Sequence, residues 1–162
     1  MTDADEKLAV AETVYKYATG IDTRNWGLYR SIFADTVAID FSSYAPGRSA
    51  REMTADDWVA GLRPLFTGLA ATQHTMTNPL VRLRGDEADV TMYMQAHHVH
   101  DPNNPASWFT IGGYYDDTLV RTNSGGWLLT GVTLTVLWRS GDPTIMEAAR
   151  ADGTTALEGN TT

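Results

Sequence analysis

Residues 72–100 read TQHTMTNPLVRLRGDEADVTMYMQAHHVH, two long runs joined at Gly85-Asp86. In the second run Val90, Met92, Met94, Ala96 and His98 alternate with their neighbours. A period of two puts such residues on one face of a strand, half buried against a core. A short turn between long runs predicts an antiparallel pair. The loop Asp101-Pro102-Asn103-Asn104-Pro105 leads to a third run, Trp108–Arg121. The breaker-rich stretch 122–126 leads to a fourth, Trp127–Arg139. The second half of the chain therefore reads as a four-strand antiparallel meander.

The first half carries a different period. Val10, Val14, Tyr17 and Ile21 recur at helical spacing, and Gly20 weakens that helix near its end. Trp26, Tyr29 and Phe33 share one side of a short second helix, capped by Asp22 or by Asn25. Val37, Ile39 and Phe41 alternate as a strand. A third helix starts near Thr54, with Asp57 as its capping-box acid and Trp58, Leu62, Leu65 and Phe66 as its apolar face. Pro64 is expected to shorten or kink it. Asp142-Pro143 reads as the cap and first residue of a short last helix, 144–151. The order predicts one α+β domain over residues 1–150, followed by a flexible polar tail over 151–162. A strongly curved, mostly antiparallel sheet closed by N-terminal helices makes a cone-shaped α+β barrel with an internal pocket.

Composition narrows the function. A chain of 162 residues is long enough for one real core. Its net charge of −8 and pI near 4.8 argue against a nucleic-acid partner. No cluster of Lys and Arg suits an anionic membrane surface, and no apolar run approaches the ~20 residues of a span. The absence of cysteine excludes disulfides, zinc–thiolate sites and thiol nucleophiles. No Walker or dinucleotide glycine motif is present, so no cofactor is expected. The acidic N-terminus is unlike a targeting peptide, and the expected location is cytoplasmic. A sheet face left uncovered by helices leads us to expect a homo-oligomer.

Several stretches taken in order resemble one family. They are Tyr17-Ala-Thr-Gly-Ile-Asp22-Thr-Arg-Asn-Trp26, Ile32-Phe33-Ala34-Asp35, Gln73-His74, Ala96-His97-His98 and Gly126-Trp127. Together they are similar to SnoaL-like domains of the nuclear-transport-factor-two-like superfamily, over roughly residues 5–150. The resemblance implies the α+β cone described above and permits a homodimer or homotrimer. Its members include dehydratases, dehydrochlorinases, isomerases, polyketide aldol cyclases and binding modules. Asp22 and His74 match the positions of an Asp and a His used by scytalone dehydratase, bile-acid dehydratase and hexachlorocyclohexane dehydrochlorinase. Tyr17 matches a tyrosine of the bile-acid enzyme. Phe41 stands where those dehydratases tend to carry tyrosine, with Tyr44 three residues on as a possible replacement.

These residues suit β-elimination. A histidine has the pKa for a base near neutral pH, and a carboxylate on one ring nitrogen aims the other. His74 is then the base, Asp22 its orienter and Tyr17 a donor to developing negative charge. The implied activity is a cofactor-independent lyase of dehydratase type, acting on a small hydrophobic carbonyl-bearing or cyclic molecule. An isomerase or polyketide cyclase would use the same dyad, and a binding module would use the same pocket. Further pocket candidates are His98, Met76, Asn78, Met94 and Tyr115, chosen by strand parity. The resemblance also places a pocket arginine near Arg139, where a salt bridge at the rim is the competing role. His97, His98 and His100 lack a following Glu, so no metal site is expected.

Overall fold

The computed structural model describes residues 2–159. In chain order the elements are α1 (Asp3–Asp22), α2 (Trp26–Ser31), β1 (Phe33–Asp40), β2 (Arg51–Thr54), α3 (Ala55–Gly68), β3 (Ala71–Arg84), β4 (Glu87–Val99), β5 (Trp108–Arg121), β6 (Trp127–Gly141) and α4 (Ile145–Gly159). The strands form one open sheet in the order β2-β1-β6-β5-β4-β3. All neighbours are antiparallel except β1 and β6, which run parallel. The four long runs of the second half are the four long strands, and the fold is the expected α+β cone.

Irregular positions bend the sheet. Register shifts occur at Thr77/Leu80 and at Gly112/Gly113, and each adds local twist. At the first, Asn78 adopts a left-handed φ of 57°. At the second, a Cβ on Gly112 would stand 2.1 Å from the Trp138 ring, and one on Gly113 would stand 1.9 Å from the Thr135 carbonyl oxygen. No side chain fits at either place.

The helices close the concave face. Val10, Val14, Tyr17 and Ile21 of α1 are buried, as their spacing requires. The ring of Tyr17 meets that of Tyr29 edge-on at 5.0 Å, and Tyr29 meets Phe33 at 5.1 Å. Gly20 has a packing reason for its place in the helix. A Cβ there would lie 2.8 Å from the Tyr29 Cβ, so α2 crosses α1 on the glycine.

Four details differ from the reading of the sequence. Phe33 opens β1 instead of closing α2. The short strand β2 was not foreseen, because its side chains are nearly all exposed and show no alternation. The helix α3 continues through Pro64 to Gly68, and Arg150 donates to the Gly61 carbonyl at 2.9 Å in the turn that the proline disturbs. The expected tail is helix as far as Gly159, while residues 160–162 lie outside the described residues. The cause is a glycine contact. A Cβ on Gly68 would meet the Ala149 carbonyl oxygen at 1.8 Å, and one on Gly153 would meet that of Pro64 at 1.8 Å. Backbone therefore packs on backbone between α3 and α4. Among the described residues, no helix is long and apolar enough to cross a membrane.

Candidate active site

The site begins where α1 ends. Arg24 turns the chain with a left-handed φ of 57°. Its Nη1 donates to the carbonyls of Ile21 at 2.7 Å and Asp22 at 3.3 Å, so a cation caps the helix C-terminus. Asn25, the second of the two candidate caps, serves α2 by accepting from the Leu28 N–H at 3.0 Å. That leaves the Asp22 carboxylate to face β3. Its Oδ2 accepts from the His74 backbone N–H at 2.7 Å, and its Oδ1 pairs with His74 Nδ1 at 2.7 Å. Oδ1 also accepts from the Thr72 hydroxyl at 2.9 Å, and Arg24 donates to that hydroxyl at 2.7 Å.

This network defines the chemistry of His74. Asp22 can only accept when ionised, so Nδ1 carries a proton, and in the neutral ring Nε2 presents a lone pair. His74 lines the cavity, whereas Asp22 stands behind it. Burial pushes the Asp22 carboxyl up, but hydrogen bonds from His74 and Thr72 and the attraction of a charged His74 outweigh it, and the carboxyl lies below its ordinary value. Asp22 is therefore ionised at neutral pH.

A second histidine stands beside the first. Thr72 pairs with His98 across β3 and β4, and His74 pairs with Ala96, so the two rings are diagonal neighbours. Their centroids are 5.8 Å apart, edge to face. His98 is buried, with Nδ1 3.1 Å from the Phe109 carbonyl, so this nitrogen is the donor. Burial, then the neighbouring His74 charge, pulls the His98 pKa down to about 4. His98 is thus neutral at pH 7 and offers its remaining ring nitrogen as an acceptor.

The cavity measures about 530 Å³. Phe41, Trp58, Leu62, Phe66, Met94 and Ile111 make much of its apolar wall. Tyr17 and Tyr115 also line it, and their hydroxyls interact with each other. Burial pushes the Tyr17 and Tyr115 hydroxyls well above the ordinary tyrosine pKa. Both stay protonated, in a chain in which the Tyr115 hydroxyl donates to Tyr17 and that of Tyr17 donates to Tyr29.

Most of the residues singled out from the sequence meet here. Asp22 and His74 touch, and Tyr17, His98, Tyr44, Phe41, Met94 and Tyr115 line the cavity. Besides Asp22, which stands behind His74, three do not line it. Met76 packs against the core outside the lining. Asn78 is exposed, because the bulge at Thr77/Leu80 turns it out of the alternation. Arg139 is exposed, donating to the Ser43 and Tyr44 carbonyls at 3.0 and 2.8 Å, and it braces the loop after β1 from outside. Among the described residues it makes no salt bridge. Outside the cavity, His97 pairs with Thr110 and His100 with Asp152 of α4. Sequence reasoning missed Arg24 and Thr72, which hold the dyad, and Arg48, Arg51, Met146 and Arg150, which line the mouth. A polar residue two positions before His74 shares its face, so parity alone could have found Thr72.

Comparison with known proteins agrees with this architecture. Over 74 residues the chain is 34% identical to a dehydratase of Pestalotiopsis microspora, and the match spans 44% of this chain and 46% of that protein. The structure superposes on a protein from Kribbella flavida with a TM-score of 0.82 at 26% identity, covering 90% of this chain and 99% of that one. A Novosphingobium aromaticivorans protein assigned as a scytalone dehydratase shares the fold with a TM-score of 0.72 at 20% identity, over 86% of this chain and 91% of its own. A hexachlorocyclohexane dehydrochlorinase from Novosphingobium barchaimii shares it with a TM-score of 0.68 at 15% identity, over 86% and 92%. The model of the SnoaL-like domain matches residues 2–133, most of the chain and every element that builds the dyad, and the protein belongs to the SnoaL-like family.

Proposed function

We propose that the protein is a cofactor-independent lyase that removes water, or a comparable leaving group, from a small hydrophobic carbonyl compound. The observation that carries this reading is the His74–Asp22 pair at 2.7 Å, with the opposite ring nitrogen of His74 left free beside an apolar cavity. The Nε2 lone pair takes a proton from the carbon next to the substrate carbonyl. Asp22 stabilises the imidazolium that forms, without itself taking the proton. One hydroxyl of the linked Tyr17 and Tyr115 pair turns its single O–H from its tyrosine neighbour to the enolate oxygen as charge develops. The double bond then forms as the C–O bond breaks, and the His74 proton leaves with the departing hydroxyl as water. The products balance without a co-reactant. A dehydratase among the relatives and the dyad geometry support the same class.

Proton abstraction also begins an isomerisation or aldol cyclisation, so the test separates the steps. Small cyclic ketones and β-hydroxy ketones are incubated in D₂O with wild type and with His74→Ala, and followed by NMR. The expected result is deuterium exchange beside the carbonyl, with elimination product from the hydroxy ketones, both lost in the variant. Exchange with rearranged product and no elimination would favour an isomerase. Binding of these compounds without any exchange would contradict a catalytic pocket.

A further inference from the structure

The cavity has two chemically distinct ends. One is the histidine end on β3 and β4. The other lies across the sheet, where β1, β2 and the loop between them stand at the opposite edge. That end presents Arg48 and Arg51, and α4 adds Arg150. The placement of Arg51 follows from register. It pairs with Ile39 across β1 and β2, and Ile39 is a buried lining residue, so Arg51 shares the inward face. Glu52 pairs with Ala38 and points to the other face. Tyr44 sits among these cations, near enough for Arg48, Arg139 and Arg150 to act on its hydroxyl.

Two facts make this end unusual. The chain carries a net charge of −8, yet among the described residues no Asp or Glu lines the cavity. Among the described residues, Arg48, Arg51 and Arg150 make no ion pair; Arg24, Arg63, Arg82 and Arg139 make none either, but of these unpaired arginines it is the first three that line the cavity. Three guanidinium groups left without a carboxylate at the mouth of an apolar cavity are matched by an anion arriving with the ligand.

We infer that the cavity takes an apolar acid, a hydrocarbon body carrying one carboxylate or similar small oxyanion, with the anion held by Arg48, Arg51 and Arg150 and the body directed toward His74. The assignment rests on the catalytic reading only for the direction of the substrate. The charge selection stands on the cavity itself.

The test uses ligands that cannot react, 2-naphthaleneacetate and its neutral amide, titrated calorimetrically into the wild-type protein. The acid is expected to bind about tenfold more tightly than the amide at low salt, and the margin should shrink as salt rises. In Arg48→Gln/Arg51→Gln the two affinities should converge. Both residues are exposed, so this variant should keep its fold, and circular dichroism checks that it does. Arg150→Lys keeps the charge of the residue that also caps Gly61, and it should retain most of the preference. Equal affinity of acid and amide for wild type, including no binding by either, would overturn the inference. So would a preference that survives the double variant. Neither ligand has a group to eliminate, so failure of the lyase reading would leave these outcomes unmoved.

Discussion

The two ends of the cavity are built on opposite rules. At the histidine end, Asp22 receives three hydrogen bonds, from Thr72 and twice from His74, and Arg24 secures the neighbouring backbone. At the arginine end, the cations are exposed and have no carboxylate partners among the described residues. Chemistry needs one geometry, and the protein itself fixes the Asp22 carboxylate and one nitrogen of each histidine, leaving the other nitrogens to the ligand. Recognition needs unsatisfied donors, and there the ligand completes the set. Pre-organisation and incompleteness thus mark different duties within one pocket.

The largest expected effect falls on the saturated end. His74→Ala should lower turnover by about 10²–10⁴, the usual worth of a positioned base. Asp22→Asn should lower it by about 10² or more while changing KM little, since the amide no longer stabilises the imidazolium. Steady-state kinetics on the substrate found by exchange separates these from Arg48→Gln/Arg51→Gln, which should mainly raise KM. If the arginine variant lost kcat and kept KM, the division of labour between the two ends would be wrong.

The second effect contrasts the two histidines. His98 is held down to about 4 from the ordinary 6.5 by burial and then by His74. Between those values the unfolded chain binds a proton that the folded one refuses. Stability should therefore fall as pH drops from 6.5 to about 4, by up to about 3 kcal/mol. The Asp22 carboxyl lies below its ordinary value, so its contribution is present above about 3.8 and is lost only in stronger acid. Urea unfolding of wild type and His98→Gln across this range should show the slope between pH 4 and 6.5 flattened in the variant. An unchanged slope would mean that another group sets it.

A smaller effect sharpens the contrast between satisfied and orphaned carboxyls. Asp117 is buried on β5, and its Oδ1 has no hydrogen-bond partner among the described residues. Burial, then the charge of Asp116, pushes its pKa well above the usual carboxylate range. A raised acid costs stability as pH rises above its unfolded value. Asp117→Asn should thus stabilise the protein at pH 7, with the gain fading as pH falls toward 3.8. Thermal unfolding at the two pH values measures it.

Much of this was legible because strands with one buried face must alternate. The runs around Val90–His98 and Phe109–Tyr115 gave their inward residues directly, and His98, Met94 and Tyr115 followed. Asp22 and His74 were legible through resemblance, since no local pattern links residues that meet across α1 and β3. Parity failed at Asn78, where a bulge resets the alternation, and at Met76, which shares the face of His74 but lies outside the cavity lining. The arginine end was invisible. Arg48 and Arg51 lie in an exposed loop and a short strand without periodicity, and Arg150 stands on the exposed face of a helix whose buried side is Ile145, Ala149 and Gly153. Arg139 was the arginine foreseen, and it braces the loop from outside.

The central claim is that Asp22 holds the proton of His74 on Nδ1 and leaves Nε2 bare toward the cavity. Nitrogen-15 NMR of the imidazole reads this without knowledge of the substrate. In neutral His74 the account requires a protonated-type shift for Nδ1 and an unprotonated-type shift for Nε2, with the pattern lost or reversed in Asp22→Ala. A neutral His74 protonated on Nε2 in the wild-type protein would leave no base facing the cavity and would contradict the account.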